Sequence, residues 1–397
     1  MRFYTAAFIL FTFIILLPDL FFYLKLKKHK VKLYFKILNF IPTLFFLILF
    51  VVMKFANTQE YNASTFQFFM WCSFVFLIIY IPKLVYIIFH FINYLVNLFL
   101  KEKIYLIRYA GIITCMFLVV LFLHGAFINL KSVEVKSVAL NIENLPESFE
   151  DYKIVQISDI HLGSWGNNRS YFKPVIYQVN RQEADILVFT GDIVNNFQEE
   201  MLGWDEYFHQ LKAKDGKYAI LGNHDYGDYS QWKSNEEKSA NLTAIEQHIK
   251  DFGFELLKNE MVQLKRDSSI IELIGVENWG KPPFPQYGNL TKALEKADTT
   301  ILKILLSHDP SHWRAEVLGK EKIFLTLSGH THAAQMAFKM YGKLRSPSSL
   351  IYNEWDGLYN ENNQYLYINK GLGFIGVPMR LGAARPEVTI ITLHRRK

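Results

Sequence analysis

Five short blocks in the second half of the chain carry side chains able to bind a divalent cation. They are Asp159-Ile160-His161, Gly191-Asp192, Gly222-Asn223-His224-Asp225, Ser307-His308 and Gly329-His330-Thr331-His332. Imidazole, carboxylate and amide ligands without thiolate suit Mn, Fe or Zn and do not decide among them. Asp159 and His161, like His330 and His332, are spaced i, i+2, which puts both side chains on one face of an extended segment. Each pair would then serve one centre or two adjacent ones. Taken singly, every block has an ordinary explanation, because Asp, Gly and Asn favour turns and helix caps for backbone reasons. Five in succession, each directly after an apolar run, do not.

Those runs are the elements that must position the ligands. "YKIVQI" from 152, "DILVFT" from 185, "YAIL" from 218, "ILKILL" from 301 and "IFLTL" from 323 are rich in β-branched and aromatic residues and have the length of strands. "IIELIGV" from 270, "YLYI" from 365 and "VTIITL" from 388 read the same way, and helix-like segments lie at 170–182 and 240–251. The alternation predicts an α/β domain with at least partly parallel sheets. In such sheets sites gather at the carboxyl ends of strands, so the five junctions would converge on one crevice. The Pro-, Gly-, Asn- and Ser-rich stretches 279–289 and 341–363 read as surface excursions.

The ordered set DxH, GD, GNHD, H and GHxH resembles the calcineurin-like metallophosphoesterase family over roughly residues 150 to 395, with no block substituted. The resemblance implies two facing mixed β-sheets flanked by helices, and two divalent metal ions. Asp159, His161 and His332 would bind the first ion, and Asn223, His308 and His330 the second, with Asp192 bridging them. His224 would lie beside the substrate, stabilising charge or protonating the leaving oxygen, and Asp225 would orient it. Two dications against the carboxylates of Asp159 and Asp192 leave a positive site suited to a phosphate anion, and acidify a shared water into the attacking hydroxide. No side-chain nucleophile is then needed.

Other strings carry less. "GLGFIG" at 371–376 fits GxGxxG, but "VPMR" follows where a helix should begin, so a dinucleotide site is not expected. By the resemblance this stretch closes the domain near the metal cleft. Arg169, Arg380 and Arg385 are candidate contacts to a substrate phosphate, and Trp165 a candidate wall of the pocket mouth. His312 falls outside the pattern and reads as a packing or capping residue.

The first half of the chain is of another kind. Apolar stretches near 4–24, 37–57, 68–93 and 107–128, each holding a single charged residue, are long enough to cross a bilayer. Pro82 and Lys83 interrupt the third, which we read as one kinked helix. Residues 1–130 thus form a transmembrane region and 131–397 the phosphoesterase domain. The net charge of +6 divides into about +9 for the first 130 residues and −3 for the rest, so the basic balance gives no reason to expect nucleic acid as a partner. Lys25, Lys27, Lys28, Lys30, Lys32 and Lys36 lie after the first stretch, and Lys101, Lys103 and Arg108 after the third. By the positive-inside rule those loops are cytoplasmic, and four spans then leave the catalytic domain outside the cytoplasm. His90 and His124 read as helix-packing residues, with no carboxylate near to form a relay. Cys72 and Cys115 both fall in apolar runs, which excludes a disulfide framework and a thiolate metal site.

The expected activity is hydrolysis of a phosphomonoester, phosphodiester or pyrophosphate by a multi-pass, integral membrane protein, with a lipid-linked phosphate as the leading substrate. A nucleotide or nucleic-acid phosphodiesterase would share the chemistry but needs a basic face. A non-catalytic membrane sensor would require lost ligands.

Overall fold

A computed structural model describes residues 2–55, 63–282 and 285–396, and within them the side chains of residues 12–52 and of all those from 63 onward. The chain divides into two units, residues 1–58 with 71–124 and residues 59–70 with 125–397.

The first unit is helical: α1 (Arg2–Lys28), α2 (Leu33–Leu38), α3 (Ile41–Phe55), most of α4 (Ala63–Leu98) and α5 (Leu106–Phe127). Leu33–Val52, Ala63–Leu98 and Leu106–Lys131 are long and apolar enough to cross a membrane. The span expected at 4–24 falls on α1, but its side chains before residue 12 lie outside the described residues, as do residues 56–62 of the loop after α3. Pro82 does not divide the third stretch, which is one helix of 36 residues.

Burying charge among apolar helices is costly unless it is paired. Here Lys83 pairs with Asp19, a fully buried carboxylate that also accepts from Thr43 and Tyr80. The partners lie 64 positions apart, so the pairing leaves no trace in local spacing. His90 meets Lys25 Nζ at 3.0 Å rather than a carboxylate.

The second unit is a sandwich. Its first sheet has the order β1 (Glu134–Ile142), β15 (Glu387–Arg395), β2 (Tyr152–Ile157), β3 (Ile186–Phe189), β4 (Gly216–Ala219), β5 (Glu255–Leu256). The strands β2 to β5 are parallel, and β15 runs antiparallel to β2. The second has the order β12 (Gly357–Glu361), β13 (Gln364–Ile368), β9 (Leu325–Ser328), β8 (Lys303–Leu306), β7 (Ser269–Gly275), β6 (Glu260–Arg266), parallel from β13 to β7. A small third sheet joins β11 (Lys343–Arg345), β10 (Met336–Met340) and β14 (Leu381–Gly382).

Alternation along each strand builds the layers, because successive side chains point to opposite faces. On β2, Tyr152 and Ile154 face the second sheet and meet Ile304, Leu306, Leu325 and Leu327. Val155 and Ile157 face outward, beneath Phe172, Val175 and Val179 of α7 (Phe172–Asn180) and Ile245 and Ile249 of α9 (Asn235–Asp251). The short helices α6 (Leu162–Trp165) and α8 (Asp205–Phe208) join that outer layer. On the far side, Ile274, Leu305 and Leu366 of the second sheet pack on Leu290 and Ala293 of α10 (Leu290–Leu294) and on Trp313. Two mixed sheets face each other across one apolar layer, with helices outside both, as expected. The carboxyl ends of β2, β3 and β4 in one sheet and of β8 and β9 in the other meet along one edge, and the five ligand blocks follow them.

Candidate metal centre

The blocks do not continue their strands. β2 ends at Ile157 and β9 at Ser328, and the chain then turns through left-handed backbone: Asp159 (φ 49°), His161 (48°), Asp192 (60°), His330 (72°) and His332 (48°), followed by Ala333, Ala334 and Gln335. The i, i+2 argument for an extended segment is therefore corrected. Asp159 and His161 still meet at one centre, whereas His330 and His332 diverge to two. Such conformations cost of order 1–3 kcal/mol each and persist where the surroundings over-determine them, typically at functional sites.

Two groups of ligand atoms result. Asp159, His161, Asp192 and His332 bring one atom each within 4.8 Å of one another, and Asp192, His308 and His330 do the same. Asp192 belongs to both, its Oδ2 lying 3.7 Å from His161 Nε2 and 3.1 Å from His308 Nε2. In the first group His332 Nε2 lies 3.1 Å from His161 Nε2 and 3.2 Å from Asp159 Oδ1. In the second, Asn223 Oδ1 lies 3.1 Å from His308 Nε2 and 2.8 Å from His330 Nδ1.

The donor set fits divalent cations on electrostatic grounds. Burial alone would lower the His308 imidazole, but the Asp192 carboxylate beside it pushes it up to about 10. Its Nδ1 is taken by the Thr190 carbonyl, so the proton on Nε2 sits between two oxygens, where a cation would replace it. Burial holds His161 well below its ordinary value. With Nδ1 on the Val194 carbonyl at 3.2 Å, its Nε2 presents a lone pair, the form a metal takes. Burial would raise the Asp159 carboxyl, yet neighbouring His332 holds it below the usual range, ionised.

The supports around these ligands are specific. The His330 N–H donates to Asp159 Oδ1 at 3.0 Å, tying the first block to the last. Asn223 Nδ2 donates to Tyr229 Oη, which fixes the amide with its oxygen toward the two histidines. His330 Nε2 meets Tyr352 Oη at 2.8 Å. Tyr229 and Tyr352 come from loops with no spacing relation to the blocks, and Tyr352 lies in the excursion 341–363, which returns to brace the site.

The His224 ring lies 5.0 Å from that of His161. Its Nδ1 meets the Asn195 carbonyl at 2.8 Å, so Nε2 is the nitrogen available to a substrate. Asp225 is a correction. Instead of orienting His224 it is buried and accepts the backbone N–H groups of Asp192, Ile193, Val194 and Gly222. Burial and the Asp192 charge push its carboxyl up to about 7, against four donors that favour the ionised form.

The three arginines are corrections too. Arg380 is fully buried; it donates to the carbonyls of Gly373, Lys370 and Ala384, and its Nη2 lies 3.2 Å from His332 Nδ1. It backs a ligand and presents nothing to a substrate. Arg385 donates to Ser132, and Arg169 to the Leu202 carbonyl. Trp165 is buried and stacked on Tyr171, not at a pocket mouth. His312, bonded to Ser307 and Glu316, has a packing role.

The glycine-rich stretch after β13 explains its composition. A Cβ on Gly371 (φ 75°) would lie 2.6 Å from Asp159 Cβ, and one on Gly373 would lie 1.9 Å from the Ile160 carbonyl oxygen. Only bare backbone fits behind the Asp159–His161 turn. Gly373→Ala is therefore expected to destabilise the fold by about 1–3 kcal/mol through overpacking and to weaken metal binding. Thermal unfolding with and without added Mn would show both effects, and an unchanged pair of melting curves would contradict the packing argument.

Comparison with known proteins agrees with this geometry. The family model for Calcineurin-like phosphoesterase matches residues 152–334. An uncharacterized metallophosphoesterase of Bacillus subtilis, YkuE, is 32% identical over 263 residues, 63% of this chain and 81% of that protein. An uncharacterized metallophosphoesterase of Aquifex aeolicus is 30% identical, over 70% of this chain and 98% of its own length. A zebrafish protein described as a transmembrane protein with metallophosphoesterase domain is 30% identical over 66% of this chain and 57% of its own length.

Proposed function

Because this chain belongs to the calcineurin-like metallophosphoesterase family, we propose that it is a metal-dependent phosphoesterase with two cation positions sharing Asp192. The observation that carries the reading is that shared carboxylate, with imidazoles of both groups on its Oδ2. Asp159, His161, Asp192 and His332 would hold one cation, and Asp192, Asn223, His308 and His330 the other. When bound, the pair supplies Lewis acidity toward phosphate oxygens and water, and its identity among Mn, Fe and Zn is open.

The chain's own residues do the rest. Asp192 Oδ1 accepts the His224 N–H at 2.8 Å, so one residue holds both the cation positions and the backbone of the histidine beside them. His224 Nε2 is placed to donate a proton to the leaving oxygen or to stabilise charge there. The Tyr229 ring lies tilted beside His224, with ring centres 4.6 Å apart, and narrows its approach. A cavity of about 330 Å³, lined by Trp279, Lys281, Arg314, Ile351 and Tyr352 among others, adjoins the Tyr352 that bonds His330. It offers room for the non-reacting part of an organic phosphate, with apolar walls, Lys281, and an Arg314 paired with Glu354.

The second part of the proposal is that residues 1–130 anchor the 131–397 domain in a bilayer as a multi-pass region of four spans. Three described stretches are apolar and long enough, and the zebrafish relative is described as transmembrane. With four spans, the domain lies on the side opposite the lysine-rich loops, extracytoplasmic by charge bias. A lipid-linked phosphate or pyrophosphate is the substrate class this anchoring favours.

The full chain, reconstituted with Mn, Fe or Zn, should hydrolyse bis-p-nitrophenyl phosphate or a lipid phosphate and stop on chelation. His224→Ala should slow it roughly 10²- to 10⁴-fold, the usual contribution of a proton-transfer residue. Absence of hydrolysis of lipid phosphates, nucleotide-linked lipids and simple diesters in all metal forms would overturn the reading.

A further inference from the structure

The hairpin β10–β11 stands outside the metal site. Met340 pairs with Lys343 across a two-residue turn of Tyr341 (φ 50°) and Gly342 (φ 77°), both left-handed. Turns of this hand favour Asn-Gly, since a bulky side chain at positive φ is sterically costly. Tyr341 nevertheless occupies the first position with its side chain fully exposed, and Met340 beside it is 53% exposed. A Cβ on Gly342 would have nothing within 4 Å, so the tip projects freely. The apolar pair is flanked by Lys339 and Lys343, with Arg345 next, and no Asp or Glu lies between His332 and Asn353. Among the described residues none of these three cations makes an ion pair.

We infer that this hairpin tip docks on an anionic bilayer surface, Met340 and Tyr341 entering the interface while Lys339 and Lys343 face lipid phosphates. Tyrosine is suited to that depth, with an apolar ring and a polar end in the headgroups. Juxtamembrane lysines are attracted to anionic lipid and are screened by salt. A tip tethered to a chain with membrane-spanning helices needs little intrinsic affinity to stay docked. The strained, exposed tyrosine is otherwise unexplained, since Asn at that turn would fold with less strain. The inference is independent of the reaction catalysed.

The test uses the full chain, with Cys72→Ala and Cys115→Ala and a spin label on Met340→Cys, in nanodiscs of phosphatidylcholine with or without phosphatidylglycerol. Oxygen against nickel-chelate accessibility reports lipid contact. With phosphatidylglycerol the label should show lipid-like accessibility, while a label on exposed Tyr177→Cys stays aqueous. Lys339→Glu with Lys343→Glu should weaken docking roughly tenfold or more, given the attraction of each lysine to anionic lipid, and salt should act in the same direction. Tyr341→Asn should reduce lipid contact while leaving the melting temperature unchanged or higher, which separates docking from folding. A label at 340 as aqueous as that at 177 in both discs overturns the inference. So does a label shielded from both reagents regardless of lipid, which would mean a protein covers the tip.

Discussion

Asp192→Ala is expected to bind neither cation tightly and to lower kcat/KM by roughly 10³-fold or more, well beyond the 10- to 100-fold that outer-shell partners of a metal site typically cost. The size follows from three contacts on one carboxylate. Its Oδ2 lies near His161 Nε2 in one ligand group and His308 Nε2 in the other, and its Oδ1 accepts the His224 N–H. Removing it takes a candidate ligand and a negative charge from both positions at once and frees the backbone of His224. It also leaves the buried His308 without the carboxylate that raises its pKa, so His308 should become a neutral imidazole near pH 7. Metal content by plasma mass spectrometry should fall from about two ions per chain toward none, whereas His224→Ala should keep both. If Asp192→Ala retained two ions and near-full activity, the shared-ligand assignment would fail.

Asp225→Ala should show its main effect in stability. Four backbone N–H groups from the turns after β3 and β4 converge on this one buried carboxylate. Truncation leaves them buried without an acceptor, a loss of roughly 3–5 kcal/mol by analogy with stripping one partner from a buried charged network. For a unit of this size that corresponds to a fall in melting temperature of roughly 10 °C. Because two of the four donors are Asp192 and Ile193, metal affinity should fall in parallel even though Asp225 is no ligand. Asp225→Asn keeps one acceptor oxygen and should fall between the two. A melting temperature within about 2 °C of the parent protein would show that water or a shifted loop replaces the carboxylate.

Within the four-residue block 222–225 itself the side chains divide between the candidate site and its framework. Asn223 turns its amide oxygen toward His308 and His330 because Tyr229 takes its nitrogen. His224 turns Nδ1 to the Asn195 carbonyl, and Asp225 gathers four backbone N–H groups beneath them.

The sequence by itself determined the candidate ligand residues, their order and the layers beneath them. Near-continuous apolar runs of strand length specify strands buried on both faces. A ligand residue type after each of five such runs leaves few other reasons for the same pattern. Whatever depends on residues adjacent in the chain was legible.

The tertiary structure decided what lies across the chain. No spacing shows that Asp225 binds backbone rather than His224, that Arg380 is buried behind His332, or that Tyr352 reaches His330 from a loop that reads as mere surface. Asp19 and Lys83, far apart in sequence, likewise meet only in the folded helices. The left-handed turns at Asp159 and His161, at Asp192 and at His330 and His332 are of the same kind, since Asp and His tolerate that backbone without announcing it. The physical reason is common to all of these. Local pattern encodes periodicity and backbone preference, while side-chain partners are chosen by packing and charge neutralisation among segments that only the fold brings together.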